Sequence, residues 1–426
     1  MRSQWLSLLG VALIACAAST SASPSPASAP TSAQSGGTPV ASAPATVPGS
    51  GLPSLDALSS TLVLPTDFAP TLSYVSPDGY FVAARARDYG RVTLYRITAP
   101  SPRAALMQLT QVAEVRGFAD QVAWLEDSSA VLVGSDLEPG HSLANHDSTG
   151  AGRRIVIINT DGRVVVAPAA AHEVIYHRAR VSPDGRWIPV SDACCVQQVL
   201  LLSRDGAEVR RVAGPAQVAT RTLGFVGWDR DGLTLFWDNT ADGPSLVAAG
   251  LDGVERYRIA APASYPVASW GVVASAPDRS WQLIELSGGM GSSFRAYGLL
   301  AGHDLRPLPD AVTSSGYGPF AAGDELLYVD PSGALRAYKP SAESTRDLSL
   351  RLDMTRAPAI VGVSDGYFVW RELVTGYVSD LKTGRKLVLP IQKGLSVSIV
   401  EGARLADYHF DDNTIVIFNL AGAAAR

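Results

Sequence analysis

Asp136, Glu138, His141, His146 and Asp147 fall within one stretch, GSDLEPGHSLANHDSTGAGRR, residues 134–154. Neutral imidazole beside carboxylate oxygens is a donor set suited to Zn²⁺ or a similar ion, and the same groups can serve as general acid and base. The chain has only 6 histidines, and two more, His172 and His177, follow a short way downstream. Against a preformed site, His141 and His146 sit among Gly and Ser with no fixed helical or strand spacing. The stretch therefore reads in three ways: a solvated loop, a partner-contact loop, or a metal or acid–base centre. The identity of any metal stays open.

The 3 cysteines are the other reactive set. Cys194 and Cys195 are adjacent, with Cα atoms about 3.8 Å apart, which is below the usual span of a disulfide. In an oxidising compartment they are expected to form a vicinal disulfide, strained and relatively easy to reduce. The alternative is a pair of thiols in a loop.

Other chemistry has no motif to carry it. There is no H-E-x-x-H, no phosphate-binding G-x-x-x-x-G-K-[ST] loop and no G-x-G-x-x-G after a strand, so no cofactor is expected. The net charge of −5 and a pI near 5.7 argue against a nucleic-acid partner.

The chain opens with a short export signal. Arg2 supplies the charged start, and Trp5–Ala15 is apolar but too short to span a bilayer as a mature helix. The run ends in Leu13-Ile14-Ala15-Cys16, which resembles the lipobox of bacterial lipoproteins. That resemblance implies diacylation of Cys16 and a stable membrane anchor. The other reading is an ordinary secretory signal cut near Ala22. Residues 17–54 are almost wholly Ala, Ser, Pro, Thr and Gly and cannot bury a core, so they are expected to form a disordered linker. Its reach would be roughly 35 Å as a coil and on the order of 120 Å as polyproline II.

From residue 55 to 426 one globular unit is expected, and its organisation is repetitive. Tyr176–Ala213 reads as four short strands: Tyr176–Val181, the turn Ser182-Pro183-Asp184-Gly185, Arg186–Ser191, a loop, Val196–Leu202, a second turn at Arg204-Asp205-Gly206, and Glu208–Ala213. Leu72–Ile97 repeats the pattern with Ser76-Pro77-Asp78-Gly79. Weaker copies of the first turn recur at 127, 231, 278, 324, 365 and 402, so that successive turns lie 37 to 57 residues apart. Four strands per such period predict an all-β fold, a β-propeller of eight four-stranded antiparallel blades. Seven blades is the alternative, should the short final units merge.

The last unit, Gly394–Val400, Arg404–Phe410 and Thr414–Asn419, lacks an outer strand. Upstream, Thr61–Pro65 is a lone strand of the same LVLP sequence as Leu387–Pro390. The N-terminal strand is therefore expected to complete the eighth blade and remove an exposed edge.

The two full repeats resemble the blades of TolB-type and prolyl-oligopeptidase-type propellers, in which S-P-D-G joins the first two strands. The resemblance stops at the ring. No G-x-S-x-G nucleophile elbow is present, and a linker stands where TolB proteins carry a small α/β domain. Such a ring puts first-to-second and third-to-fourth turns on one face and second-to-third loops on the other. The first face reads as short turns. The second carries the longer segments Arg85–Arg91, Gly134–Arg154, Ser191–Gln197, Trp237–Ser245 and Ser287–Phe294, and function favours long loops on a rigid frame.

The reading that follows is a monomeric, non-catalytic scaffold in the bacterial cell envelope, in the periplasm or on the outer membrane. It binds a protein, peptide or glycan partner across the long-loop face. The alternative is a lyase or hydrolase with its site at the channel mouth. Unreduced peptide mass spectrometry of the exported protein should find the Cys194–Cys195 peptide two hydrogens lighter than the dithiol; thiols that alkylate readily would contradict the bridge.

Overall fold

The computed structural model describes residues 59–98, 106–136, 153–167, 173–174, 178–192, 199–213, 222–240, 243–262, 267, 269–288, 294–313, 317–372, 375–389, 396–400, 402–409 and 413–420. These form eight sheets arranged as the blades of a propeller, antiparallel apart from one short parallel pairing at blade two. Blade one is Tyr74–Val75, Phe81–Arg85, Arg91–Thr98 and Gln108–Arg116, and blade two is Phe118–Leu125, Ala130–Asp136, Arg153–Asn159 and Val164–Val166. Blade four is Thr222–Trp228, Thr234–Thr240, Gly243–Ala249 and Glu255–Ala260, and blades five to seven repeat the order to Leu389. Among the described residues no helix is long and apolar enough to cross a membrane.

The repeating turn is built by its sequence. In blade one the Ser76 hydroxyl donates to Asp78 Oδ1 (2.5 Å) and accepts from the Phe81 N–H (3.0 Å), while the Tyr80 N–H also donates to Asp78 Oδ1 (3.0 Å). Gly79 closes the turn at φ 72°, where a side chain would be strained. Blade three copies each of these bonds through Ser182, Asp184, Arg186 and Trp187, with Gly185 at φ 71°.

The core lies between blades. Each strand of a blade is covered on both sides, so middle strands read as continuous apolar runs rather than as alternation. In Ala130–Val133, Ala130 and Leu132 pack toward blade three and Val131 and Val133 toward blade one. Eight such clusters, one per blade junction, complete the circle.

The ring closes as the sequence predicts. Ser59–Val63 pairs antiparallel with Thr414–Asn419 and forms the fourth strand of blade eight, beside Arg404–His409 and Ser396–Val400. The next residues bind both ends of the ring. The Leu64 N–H donates to the Asn413 carbonyl (3.0 Å), Asn413 Nδ2 returns a bond to the Leu64 carbonyl (2.7 Å), and Arg87 donates to Asn413 Oδ1 (3.2 Å) and the Thr66 carbonyl (3.2 Å). Arg91 pairs with Asp67, and Phe68 is buried edge-on against Tyr95.

Three expectations need correction. Blade three's inner strand is not Tyr176–Val181. Glu173–Val174 pairs with Ser191–Asp192, and Arg178–Ala179 pairs parallel with Trp124–Leu125 of blade two. Inner strands of neighbouring blades run in the same direction around the channel, so where they meet, parallel pairing is the available bond. Trp237–Ser245 is not a long loop: paired strands run to Thr240 and resume at Gly243. The short-turn face also has a longer connection, 99–107 in blade one; there the Met107 N–H donates to the Thr61 carbonyl (2.9 Å), tying blades one and eight again.

Deleting residues 55–66 should lower Tm sharply, and Leu62→Ala, which empties a fully buried site, should cost about 2–5 kcal/mol. Chemical denaturation of both variants checks this, and an unchanged midpoint would overturn the closure.

Candidate functional site

The second-to-third connections collect on one face, and the largest spans 137–152 in blade two. Its feet are Asp136 and Arg153, the last and first residues of the flanking strands and partners in register. Of the residues singled out by sequence, Asp136 alone is described, at that strand end. Glu138, His141, His146, Asp147, His172 and His177 lie outside the described residues, as do Cys16, Cys194 and Cys195. No group of three or more His, Cys, Asp or Glu that could hold a metal occurs among the described residues.

Beside those feet stands a cation–aromatic stack. Asp136 pairs in register with Phe118, and the Phe118 ring stacks on Tyr89 with centroids 5.8 Å apart and planes 22° apart. The Arg85 guanidinium lies 4.4 Å from the Tyr89 ring centroid and donates to the Ala119 carbonyl (3.4 Å). Arg85 shares a strand face with Ala83, which packs against blade two, so its charge is carried into the blade junction and buried there. A desolvated guanidinium over an aromatic face is a strong form of this attraction, up to about 2 kcal/mol. Tyr89, half-buried at φ 63° in the turn 86–90, leaves one edge toward solvent.

Sequence reasoning missed a second element, at the junction of blades seven and eight. His409 Nε2 lies 3.0 Å from Asp407 Oδ2, and both residues are buried. Leu405 shares their strand face and packs on Val369 and Tyr367 of blade seven. Asp407 Oδ1 is buried with no hydrogen-bond partner among the described residues. A carboxylate beside an imidazole fixes which ring nitrogen carries the proton. Within a strand, only the i, i+2 spacing of D-x-H marks such a pair, and that spacing is too common to single it out.

The opposite face is stitched turn to turn. Ser128 accepts from the Asp78 N–H (2.9 Å), the Ala403 N–H donates to Asp365 Oδ2 (2.8 Å), and Arg404 reaches the Asp78 carbonyl. A cleft of about 240 Å³ opens there between blades three and four, with Trp187 and Trp228 in its walls and the turns at Asp184 and Asp231 at its rim. That is smaller than typical small-molecule pockets of about 300–1,000 Å³.

On the long-loop face of blade six, burial acts to raise the Asp330 pKa, but hydrogen bonds from Ser332, Arg336 and the Ala334 N–H outweigh it and hold the carboxyl at about 2. Its folded value lies below the unfolded one, so its contribution is present above about pH 4 and is lost as pH falls toward 2. Asp330→Ala should cost about 1 kcal/mol at pH 7, after solvent screening is allowed for, and less at pH 2. Urea midpoints of parent and variant at the two pH values measure this; an equal difference at both would refute the assignment.

No protein-family model matches the chain, and no curated protein matches it. Among solved structures it is similar to BamB from Moraxella catarrhalis, at 13% identity and TM-score 0.45 over 84% of this chain and 96% of that one. It is similar also to Sqt1 from Saccharomyces cerevisiae, at 9% identity and TM-score 0.48 over 84% and 98%, and to apo AztD from Citrobacter koseri, at 14% and 0.42 over 74% and 85%. The eight-blade assignment rests on the strand pairings described above.

Proposed function

We propose that this ring is a non-catalytic, TolB-like binding scaffold. In this reading it is held in the bacterial envelope by a diacylated Cys16 and the 17–54 linker, and as a monomer it engages a protein, peptide or glycan partner across its long-loop face. The observation that carries the reading is the difference between the two faces. On one face short turns are bonded to neighbouring turns, whereas the other presents its widest connection beside Tyr89, half-buried against the buried Phe118 and Arg85. Aromatic and Arg groups with buried bodies and accessible edges are the common anchors of protein interfaces, and a platform built on a closed ring loses little entropy when a partner docks.

Two measurements test it. Affinity capture from envelope extracts should recover a partner with the parent and with Tyr80→Ala, a change on the short-turn face. Recovery should fall at least tenfold when 137–152 is replaced by a two-residue Asn-Gly turn or when Tyr89 becomes Ala. Equal recovery by all variants, or loss with Tyr80→Ala alone, would move the interface elsewhere. Cys16→Ser should shift the protein from the membrane to the soluble fraction; retention in the membrane would mean another anchor.

A further inference from the structure

On the short-turn face, neighbouring turns are joined between blades one and two, two and three, and eight and one. The bonds are Asp78 N–H to Ser128 (2.9 Å), Arg204 to Asp127 (2.8 Å) and Arg404 to the Asp78 carbonyl. Between blades three and four, no hydrogen bond or ion pair among the described residues links the turns 182–185 and 229–232. The two turns come into contact all the same: a Cβ built on Gly232 would lie 3.8 Å from Pro183 Cγ. What they leave between them is the cleft of about 240 Å³.

The floor of the cleft is apolar. Trp187, Trp228 and Leu251 line it, and all three pack in the core cluster of this junction. Each tryptophan is only 2% exposed, whereas Leu251 is half-buried. The floor therefore offers a patch for a small aliphatic group rather than an open ring face for stacking. The rim is charged, and its turns hold the charges in place. Asp184 Oδ1 accepts from the Ser182 hydroxyl (2.5 Å) and the Arg186 N–H (3.1 Å), which leaves Oδ2 without a partner among the described residues. Opposite it, the buried Asp229 accepts from the N–H groups of Asp231 (2.9 Å) and Leu233 (2.7 Å), fixing the turn that carries Asp231. The Asp231 carboxylate and the Arg230 guanidinium are exposed, with no hydrogen bond or ion pair among the described residues. Two carboxylates and one guanidinium leave one negative charge at the rim unmatched.

We propose that this cleft binds a primary ammonium group carried on a small aliphatic body. One positive charge matches the rim, and the three N–H donors of an ammonium can reach Asp184 Oδ2 and Asp231 from between them. The aliphatic body covers the floor and is removed from water. Arg230 donates to a carbonyl beside the amine. These features describe an amine of amino-acid size, either free or at the N-terminus of a peptide. The volume sets the same limit, since drug-sized ligands need about 300 Å³ or more. The cleft lies on the face opposite the proposed partner surface and does not depend on it.

Isothermal titration of the full chain tests the proposal, at low salt and pH 6.5, where an α-amino group is charged. The probes are L-leucinamide, the tripeptide amide leucyl-alanyl-alaninamide, and N-acetyl-L-leucinamide, which keeps the side chain without the charge. Saturable binding of at least one of the two amines is expected, and none of the acetylated probe. Binding of leucinamide alone assigns the cleft to a free amine; binding of the tripeptide assigns it to a peptide N-terminus. Asp231→Asn should raise Kd at least threefold, and Asp231→Lys should abolish binding. The Asp231 carboxylate makes no bond within the described chain, so both variants should keep the parent Tm, and their loss of binding cannot be attributed to unfolding. Absence of saturable binding by both amines would overturn the site. Equal binding of the acetylated probe, or binding that Asp231→Lys leaves unchanged, would do the same.

Discussion

The fold depends on the pairing of Ser59–Val63 with Thr414–Asn419. A propeller blade is covered only by its neighbours, so a row of blades has two bare faces until its ends meet. In this chain the meeting is made by five residues from one terminus laid against a strand from the other. Leu62 and Leu64 are buried there with Ile415 and Ile417 against Val75, Val82 and Ala84 of blade one. The junction of blades eight and one is thus built partly from the closing strand itself. The bonds of Asn413, Arg87 and Arg91 to residues 64–67 add a polar latch outside it. Losing the strand exposes both a sheet edge and an apolar face, so closure carries more than its own area.

That same geometry decides what was legible in the sequence. Turn chemistry is local: Ser, Asp and Gly of S-P-D-G satisfy one another within five residues, so two good copies were enough to set the period and locate the weaker ones. Closure was legible because a missing strand at one end matched a spare strand at the other. Blade three's inner strand was misplaced because alternation cannot tell a segment paired within its blade from one drawn to the neighbouring inner strand. Trp237–Ser245 was misread because Asp238, Asn239, Thr240 and Gly243 have loop composition. Yet Asp238 is fully buried within its strand, where Arg258 of the outer strand donates to it (3.1 Å).

The candidate site was legible only in part. The position of 137–152 followed from counting strands, and its feet are where counting put them. The Arg85–Tyr89–Phe118 stack joins residues of two blades, and the Asp407–His409 pair gains its character from burial against blade seven. Neither property is local, so no motif announces it. Across blades that share a turn pattern, the informative signal is departure from the pattern. A tyrosine or an arginine at a positive φ, where glycine would cost nothing, is such a departure.

Departures of this kind separate the two faces by what each must tolerate. On the stitched face a turn is constrained by its neighbour: a Cβ at Gly79 would meet Val400 and Arg404 at 2.8–2.9 Å, so glycine there serves packing as well as φ. Around the channel, among the described residues, the inner strands other than that of blade two leave one edge of N–H and C=O groups without a sheet partner. An arginine can settle on such an edge, as Arg180 does on the Val272 carbonyl. A buried polar atom without a partner is rare in native proteins and calls for an explanation. Arg279 Nη1 is such an atom, buried without a hydrogen-bond partner among the described residues, in a turn whose φ of 54° is met by glycine in blades one, three and four.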